Sequence, residues 1–271
     1  MSALHAIVLG IVQGLTEFLP VSSTAHLRIV PSFLGWADPG AAFTAVVQLG
    51  TLVAVLLYFR ADIARITSAW VRSLRDPALR SDHDARMGWF IGLGTIPVVI
   101  FGFAFKDQID SGARNLYLIG TTLIVLGLVL AVAEKVSTRI RDVESIDRTD
   151  AVAIGVAQAL ALVPGVSRSG ATITAGLFRG LTREAAARYS FLLSIPAVLL
   201  SGLFEARKIG DPGGAALAPT IIATVIAFAV GYASIAFLLR YLTKHSTLVF
   251  VGYRVALGAV VIALHGAGTI H

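Results

Sequence analysis

Glu17 lies four residues after Gln13 in an otherwise apolar run, Gln13-Gly-Leu-Thr-Glu-Phe-Leu-Pro-Val-Ser-Ser-Thr-Ala-His26, which also carries Ser22, Ser23 and His26. A separation of four puts Gln13 and Glu17 on one face of a helix, aimed at one volume. A carboxylate in such surroundings pairs with a base, binds an ion or lines a cavity. His26 follows Ser23 by three, one turn if a second helix begins at Ser22 or Ser23. Hydroxyl and imidazole would then share a face, as a nucleophile and an acid/base or orienting group do. A second stretch, Pro164-Gly-Val-Ser-Arg-Ser-Gly-Ala-Thr172, adds Arg168 and the hydroxyls of Ser167, Ser169 and Thr172. A glycine-bearing turn opening a helix aims N–H groups at an anion, and the guanidinium fork suits phosphate. The plainer alternatives are a Glu17–Arg168 packing pair and ordinary helix caps. The stretch is not a P-loop, since Gly-Lys-Ser/Thr is absent, and the residues around Ser167 do not form a hydrolase nucleophile elbow. Together the two stretches hold the parts for phosphoryl transfer from a lipid-borne phosphate, with a divalent cation, Mg2+ or Ca2+, held at Glu17 with Gln13.

The elements that must position these groups follow from composition. Of 271 residues 56% are hydrophobic and 14% charged, against about 25% charged in soluble proteins, and the mean hydropathy is +0.81. An all-α polytopic membrane protein is expected, because apolar runs of about 20 residues suit helices rather than the alternating strands of a barrel. No cysteine is present, which excludes disulfides, thiolate ligands and a cysteine nucleophile. A net charge of +6 would suggest nucleic acid in a soluble protein; here the basic residues lie in loops, so no nucleic-acid partner is expected. Met1–His5 lack the basic start of a signal peptide, so the N-terminus is read as mature.

Six segments are long enough to span: about 41–59, 88–105, 116–133, 186–204, 217–239 and 247–264. Residues 2–34 and 150–179 are apolar but broken at Pro20 and Pro164, each with serines after the proline. Each is expected to form a re-entrant pair of half-helices, with proline ending one and serine capping the next. Gly10-Ile-Val-Gln13-Gly-Leu15 aligns with Gly155-Val-Ala-Gln158-Ala-Leu160, and Leu57–Ile63 echoes Leu203–Ile209. This divides one membrane domain, 1–271, into repeats at 1–133 and 150–264, with two polar cytoplasmic loops, 60–87 within the first repeat and 134–150 between the two. Three spans follow each hairpin, so the repeats are expected to be inverted in the membrane. Of the 22 Lys and Arg, fifteen then fall on one side and only Lys106, Arg114, Arg207 and Lys208 on the other, with Arg28, Arg168 and Arg254 inside membrane segments. The rich side is read as cytoplasmic, which puts both termini outside. Arg254 is left either to snorkel to the interface or to pair with a buried group.

These motifs resemble one family along the whole chain, the bacterial undecaprenyl-diphosphate phosphatases, also called bacitracin-resistance proteins. The resemblance rests on Gln13 to Glu17 as a Glu/Gln-x-x-x-Glu pattern, on Phe-Leu-Pro-Val-Ser-Ser-Thr-x-His from Phe18 to His26, and on Pro-Gly-x-Ser-Arg-Ser-x-x-Thr from Pro164 to Thr172. It implies removal of the terminal phosphate from a C55 prenyl diphosphate, which recycles the lipid carrier of cell-wall synthesis. It also implies a divalent cation, an active site open to the outer (periplasmic) face of the plasma membrane, and allows a homodimer. Glu17, Ser23, His26 and Arg168 carry over as catalytic positions, and Ser22, Ser167, Ser169 and Thr172 as phosphate contacts. Gln13 departs from the many members with glutamate there, keeping an oxygen ligand but losing a charge.

The expected mechanism has Arg168 and its neighbouring donors hold the diphosphate while Ser23 attacks the terminal phosphorus. His26 moves the proton and Glu17 orients His26 or holds the metal; a metal-activated water is the alternative nucleophile. Two other classes compete: a lipid transporter or flippase, because inverted repeats are a transporter architecture, and an intramembrane serine protease, in which the anion-binding turn would have no role.

Overall fold

The computed structural model describes residues 1–105, 115–207 and 216–270. Among them are eleven α-helices, two short 3-10 helices and no strand, only an isolated bridge between Arg141 and Leu181. Lys106, Arg114, Lys208 and Ile209, used in the charge count and the repeat, lie outside the described residues.

Helix α1, Ala3–Thr16, is capped by Ser2 and stops before Pro20. Helix α2, Ser23–Leu34, starts at a Ser22 cap and ends at Gly35, whose φ of 66° supplies the left-handed residue common at helix C-termini. The same break recurs in the second half. Helix α7, Arg148–Leu160, opens on an Asp147/Asp150 capping box, and α8, Arg168–Phe178, starts at a Ser167 cap. Six helices have the length and apolarity to cross a membrane: α3, Gly40–Tyr58; α5, His83–Ala104; α6, Leu116–Val136; α9, Arg183–Ala206; α10, Leu217–Leu242; and α11, Leu248–Gly266. The protein is thus an all-helical, multi-pass membrane protein. The first polar connector folds as α4, Arg60–Arg75, a charged helix that runs straight on from α3 and packs against α5.

Packing interleaves the halves. α1 lies along α10 and α7 along α5, while α6 pairs with α11 and α3 sits against α9 and α10. Small residues set the close approaches: a Cβ at Gly50 would lie 2.1 Å from the Thr224 carbonyl oxygen on α10, and one at Gly155 would lie 2.5 Å from that of Gly94 on α5. The small residues of 151–177 and 216–236 therefore serve helix contact, as Gly and Ala do where lipid offers no hydrophobic drive between helices.

Ion pairs gather helix termini at one end of the bundle. Glu134 at the end of α6 accepts from Arg139, from Arg183 at the start of α9, and from the N–H and hydroxyl of Thr247 before α11. Asp150 at the start of α7 accepts from Arg141 and from Arg179 after α8. Asp62 on α4 accepts from Arg188. Tyr117 on α6 meets His265 on α11 at the opposite ends of those two helices, and His5 stacks on Trp36 with centroids 3.8 Å apart, joining the start of α1 to the chain after α2.

Candidate active site

The turns at 17–22 and 161–167 both end in a serine with positive φ, 74° at Ser22 and 72° at Ser167. A non-glycine residue pays a strain of about 1–3 kcal/mol in such sparsely populated backbone regions, and strain of this kind concentrates at functional sites. In each case the serine hydroxyl caps the following helix, Ser22 Oγ accepting from Ala25 N–H and Ser167 Oγ from Gly170 N–H. The N–H groups of Ser23, Thr24, Arg168 and Ser169 have no backbone acceptor among the described residues. Two helix N-termini with free N–H groups and no acidic residue in their first turns therefore stand beside the two turns, the arrangement that binds anions.

The turns are joined to each other. Arg168 donates to Glu17 Oε1 in a direct ion pair, and Ser169 Oγ donates to the Leu19 carbonyl at 3.0 Å. The other Glu17 oxygen, Oε2, accepts from Gln13 Nε2 at 2.7 Å and from Ser23 Oγ at 2.6 Å. Glu17, Gln13 and Ser23 are buried, and the Arg168 side chain keeps 18% of its surface exposed, so the cluster is open from the arginine side.

The geometry separates Ser23 from His26. The Ser23 hydroxyl is directed at Glu17, whereas His26 Nδ1 meets the Ser22 carbonyl at 2.7 Å and its Nε2 meets the Tyr253 hydroxyl at 2.7 Å. Glu17 thus hydrogen-bonds the serine rather than the imidazole, which is held by Ser22 and Tyr253. Thr172 is fully buried; its hydroxyl donates to the Arg168 carbonyl at 2.8 Å and meets Ser190 Oγ on α9 at 2.6 Å, which seats α8. Ser167 and Ser169 lie together, their hydroxyl oxygens 3.3 Å apart. The nine residues named from the sequence all belong to these two turns or to the helices that flank them.

Arg254 on α11 takes the second of its two expected states, pairing with buried groups, and those groups are backbone carbonyls. It is fully buried and meets no carboxylate among the described residues; it donates to the carbonyls of Pro20, Leu123, Gly165 and Val166 at 3.0–3.2 Å. One guanidinium with five N–H donors therefore holds the first turn, the second turn and α6 together. Two glycines of the second motif make room for this arrangement. A Cβ at Gly170 would sit 2.7 Å from Arg254 Nη1, and Gly165, with φ of 85°, packs where a Cβ would come within 2.1 Å of Thr122 Oγ1. Thr122 in turn donates to the Pro164 carbonyl at 2.7 Å.

The donors at Glu17 fit a single divalent cation. Gln13 Oε1 is buried without a hydrogen-bond partner among the described residues, on a side chain whose Nε2 contacts Glu17, and such an oxygen could serve an oxygen-seeking cation as a ligand. Magnesium takes one or two such protein oxygens and completes its shell with substrate phosphate and water.

The family model described as "Bacitracin resistance protein BacA" matches residues 6–260. Among curated relatives, the chain is 57% identical to an "Undecaprenyl-diphosphatase" of Nocardioides sp. over 98% of both chains. It is 56% identical to one of Mycolicibacterium smegmatis, over 100% of this chain and 99% of the relative, and 54% identical to one of Chlorobaculum parvum, over 99% of both. With the family model covering nearly the whole length, both motif turns included, the chain belongs to the BacA bacitracin resistance protein family.

Proposed function

We propose that this protein hydrolyses undecaprenyl diphosphate to undecaprenyl phosphate and inorganic phosphate, recycling the lipid carrier of cell-wall synthesis. The observation that carries the reading is the contact of Arg168 with Glu17, which joins the two motif turns at one point. The relatives bear the name of this activity over their full length, and none of those names supports the flippase alternative.

In the proposed mechanism the terminal phosphate enters from the exposed side of Arg168 and takes the guanidinium as a bidentate partner. The N–H groups at the starts of α2 and α8 and the hydroxyls of Ser22, Ser167 and Ser169 complete the cradle, while Thr172 holds α8 in place. Transfer of Arg168 to the phosphate frees the Glu17 carboxylate to act on Ser23. Ser23 Oγ attacks the terminal phosphorus, its proton passes to Glu17 Oε2, and the bond to the bridging oxygen breaks, releasing undecaprenyl phosphate. Water then attacks the phosphoserine, its proton goes to His26, and the departing serine oxygen recovers the proton held by Glu17. Charge on the equatorial oxygens is met by donors already fixed in place, which need no reorganisation as the reaction proceeds. A divalent cation held by Glu17 and Gln13 would neutralise phosphate charge during this transfer.

The same reading treats α1–α2 and α7–α8 as re-entrant hairpins and the repeats 1–133 and 150–264 as inverted. Support comes from their exchanged packing, α1 on α10 and α7 on α5, and from the His5–Trp36 and Asp150–Arg179 contacts that return each hairpin to its own end of the bundle. The basic end, with Arg139, Arg141, Arg179, Arg183 and Arg188, faces the cytoplasm under the positive-inside rule, so the termini and the site entrance face outside. One chain contributes every group in this mechanism, so a homodimer is not required for it. Purified protein in detergent should release phosphate from a prenyl diphosphate; a transporter would release none, and an intramembrane protease would act without Arg168.

A further inference from the structure

His26 Nδ1 lies 2.7 Å from the Ser22 carbonyl, and a carbonyl oxygen can only accept. Nδ1 therefore carries the proton, and in the neutral ring the lone pair belongs to Nε2. The atom facing that lone pair is the Tyr253 hydroxyl at 2.7 Å, which must then donate. The phenol ring also lies nearly parallel to the imidazole, 7° between planes with centroids 5.6 Å apart, so both the ring's orientation and its tautomer are defined from two sides. Tyr253 adjoins Arg254 in sequence: α11 thus sends one side chain to clamp the turns and the next to the catalytic histidine. His26 is buried, whereas Tyr253 is 47% exposed, so the phenol is the outermost member of the chain Ser22 C=O, His26, Tyr253. The remaining charges near the ring are Arg254, whose N–H groups go to carbonyls, and the Glu17–Arg168 pair beyond the turn.

We infer that Tyr253 is a positioning residue for His26: its hydroxyl keeps the Nε2 lone pair as the ring's basic atom and holds it until the attacking water replaces the phenol there. The inference rests on the hydrolytic reading for its kinetic consequence but not for its structural one. Without the hydroxyl, Nε2 faces no partner, the ring is free to flip, and Nδ1 and Nε2 can exchange roles. Partners that fix the tautomer and orientation of metal-bound histidines change affinity or activity by about 10–100-fold when removed, and the same order is expected for a histidine held this way for proton transfer. Because the second half-reaction uses His26 and the first does not, the loss should fall on kcat, with KM falling alongside it and kcat/KM nearly unchanged.

The test compares wild type with Tyr253→Phe and Tyr253→Leu, using phosphate release from undecaprenyl diphosphate and 15N NMR of selectively labelled histidine in detergent. The wild-type spectrum should show His26 as the Nδ1–H form with a hydrogen-bonded Nε2. In Tyr253→Phe the stack persists, the Nε2 signal should move to that of a free or exchanging nitrogen, and kcat should fall about tenfold, close to the value in Tyr253→Leu. Thermal melting of Tyr253→Phe should show a folded protein melting only a few degrees below wild type, since the ring stays and one hydrogen bond to a buried nitrogen is lost. A Tyr253→Phe protein with wild-type kcat and an unchanged His26 spectrum would overturn the inference and leave Tyr253 as packing. If wild type itself releases no phosphate, the hydrolytic reading fails, while the spectra still decide whether Tyr253 sets the tautomer.

Discussion

Arg168 and Glu17 are 151 residues apart in the chain and form a direct ion pair where the two broken helix pairs meet. The pair is buried on the glutamate side and partly open on the arginine side, which makes Arg168 the group that an incoming phosphate can draw away. Ser23 shares the same carboxylate through its hydroxyl, so one side chain links the nucleophile to the anion clamp.

If Ser23 is that nucleophile, acid quenching of a reaction with terminally labelled prenyl diphosphate should trap phosphate on Ser23 itself. Ser23→Ala should lose at least about 100-fold in kcat, a conservative figure for removal of a nucleophile from an acting unit. Near-normal turnover in Ser23→Ala would hand the attack to water.

Gln13 holds one unpartnered oxygen beside Glu17. Gln13→Glu adds a carboxylate to the cation site, so the divalent-cation concentration for half-maximal activity should fall by about tenfold, as ligand charge raises the affinity of hard-cation sites. Titration of chelated, cation-free protein with Mg2+ and with Ca2+ measures it. An unchanged half-maximal concentration would place the cation away from Gln13.

Arg254→Met should lower stability by about 3 kcal/mol, because the carbonyls of Pro20, Leu123, Gly165 and Val166 lose their donor together. Arg254→Lys should recover little, since a point charge with three donors cannot reproduce the planar fork. Thermal unfolding in detergent checks both, and a Lys variant as stable as wild type would contradict the clamp.

Asp150 lies at the basic end of the bundle, outside the six spans. Burial alone would raise its carboxyl, but hydrogen bonds from Arg141 and Arg179 outweigh this and hold it below its ordinary value of 3.8, while Arg141 is raised by the same pair. A depressed carboxyl contributes stability that is complete above the unfolded value and lost as pH falls through the folded one. Wild type should therefore lose stability below about pH 4, where the unfolded carboxylate begins to take up protons. Asp150→Asn should be less stable by about 2 kcal/mol at pH 7 and show a shallower acid limb. Parallel acid limbs would rule out this source of pH dependence.

Much of the frame was legible because its signals are local. The spans expected at 41–59 and 217–239 appear as Gly40–Tyr58 and Leu217–Leu242. The start expected near 88 lies instead at His83, because hydropathy begins where charges stop, whereas a helix begins at its cap, here Asp82. The breaks before Ser23 and Arg168 followed from proline and serine chemistry. The wiring of the site was less legible. Ser23 and His26 do lie three apart on α2, one turn as expected, but the Ser23 hydroxyl turns to Glu17 and not to the imidazole, because the bend at 17–22 brings that carboxylate within reach. Arg254 resisted assignment because its acceptors are backbone carbonyls, which no residue type announces. Tyr253 lies 227 residues from His26 and reads as one more aromatic in an apolar helix; its only local signal is the arginine beside it.

The most direct test of one phosphate-cleaving site built from two turns is phosphate release from undecaprenyl diphosphate by Arg168→Ala beside wild type, both purified in detergent. Loss of an oxyanion clamp predicts a fall of about 100–1,000-fold in a protein whose helical content is unchanged. Phosphate release at the wild-type rate in Arg168→Ala would contradict the account.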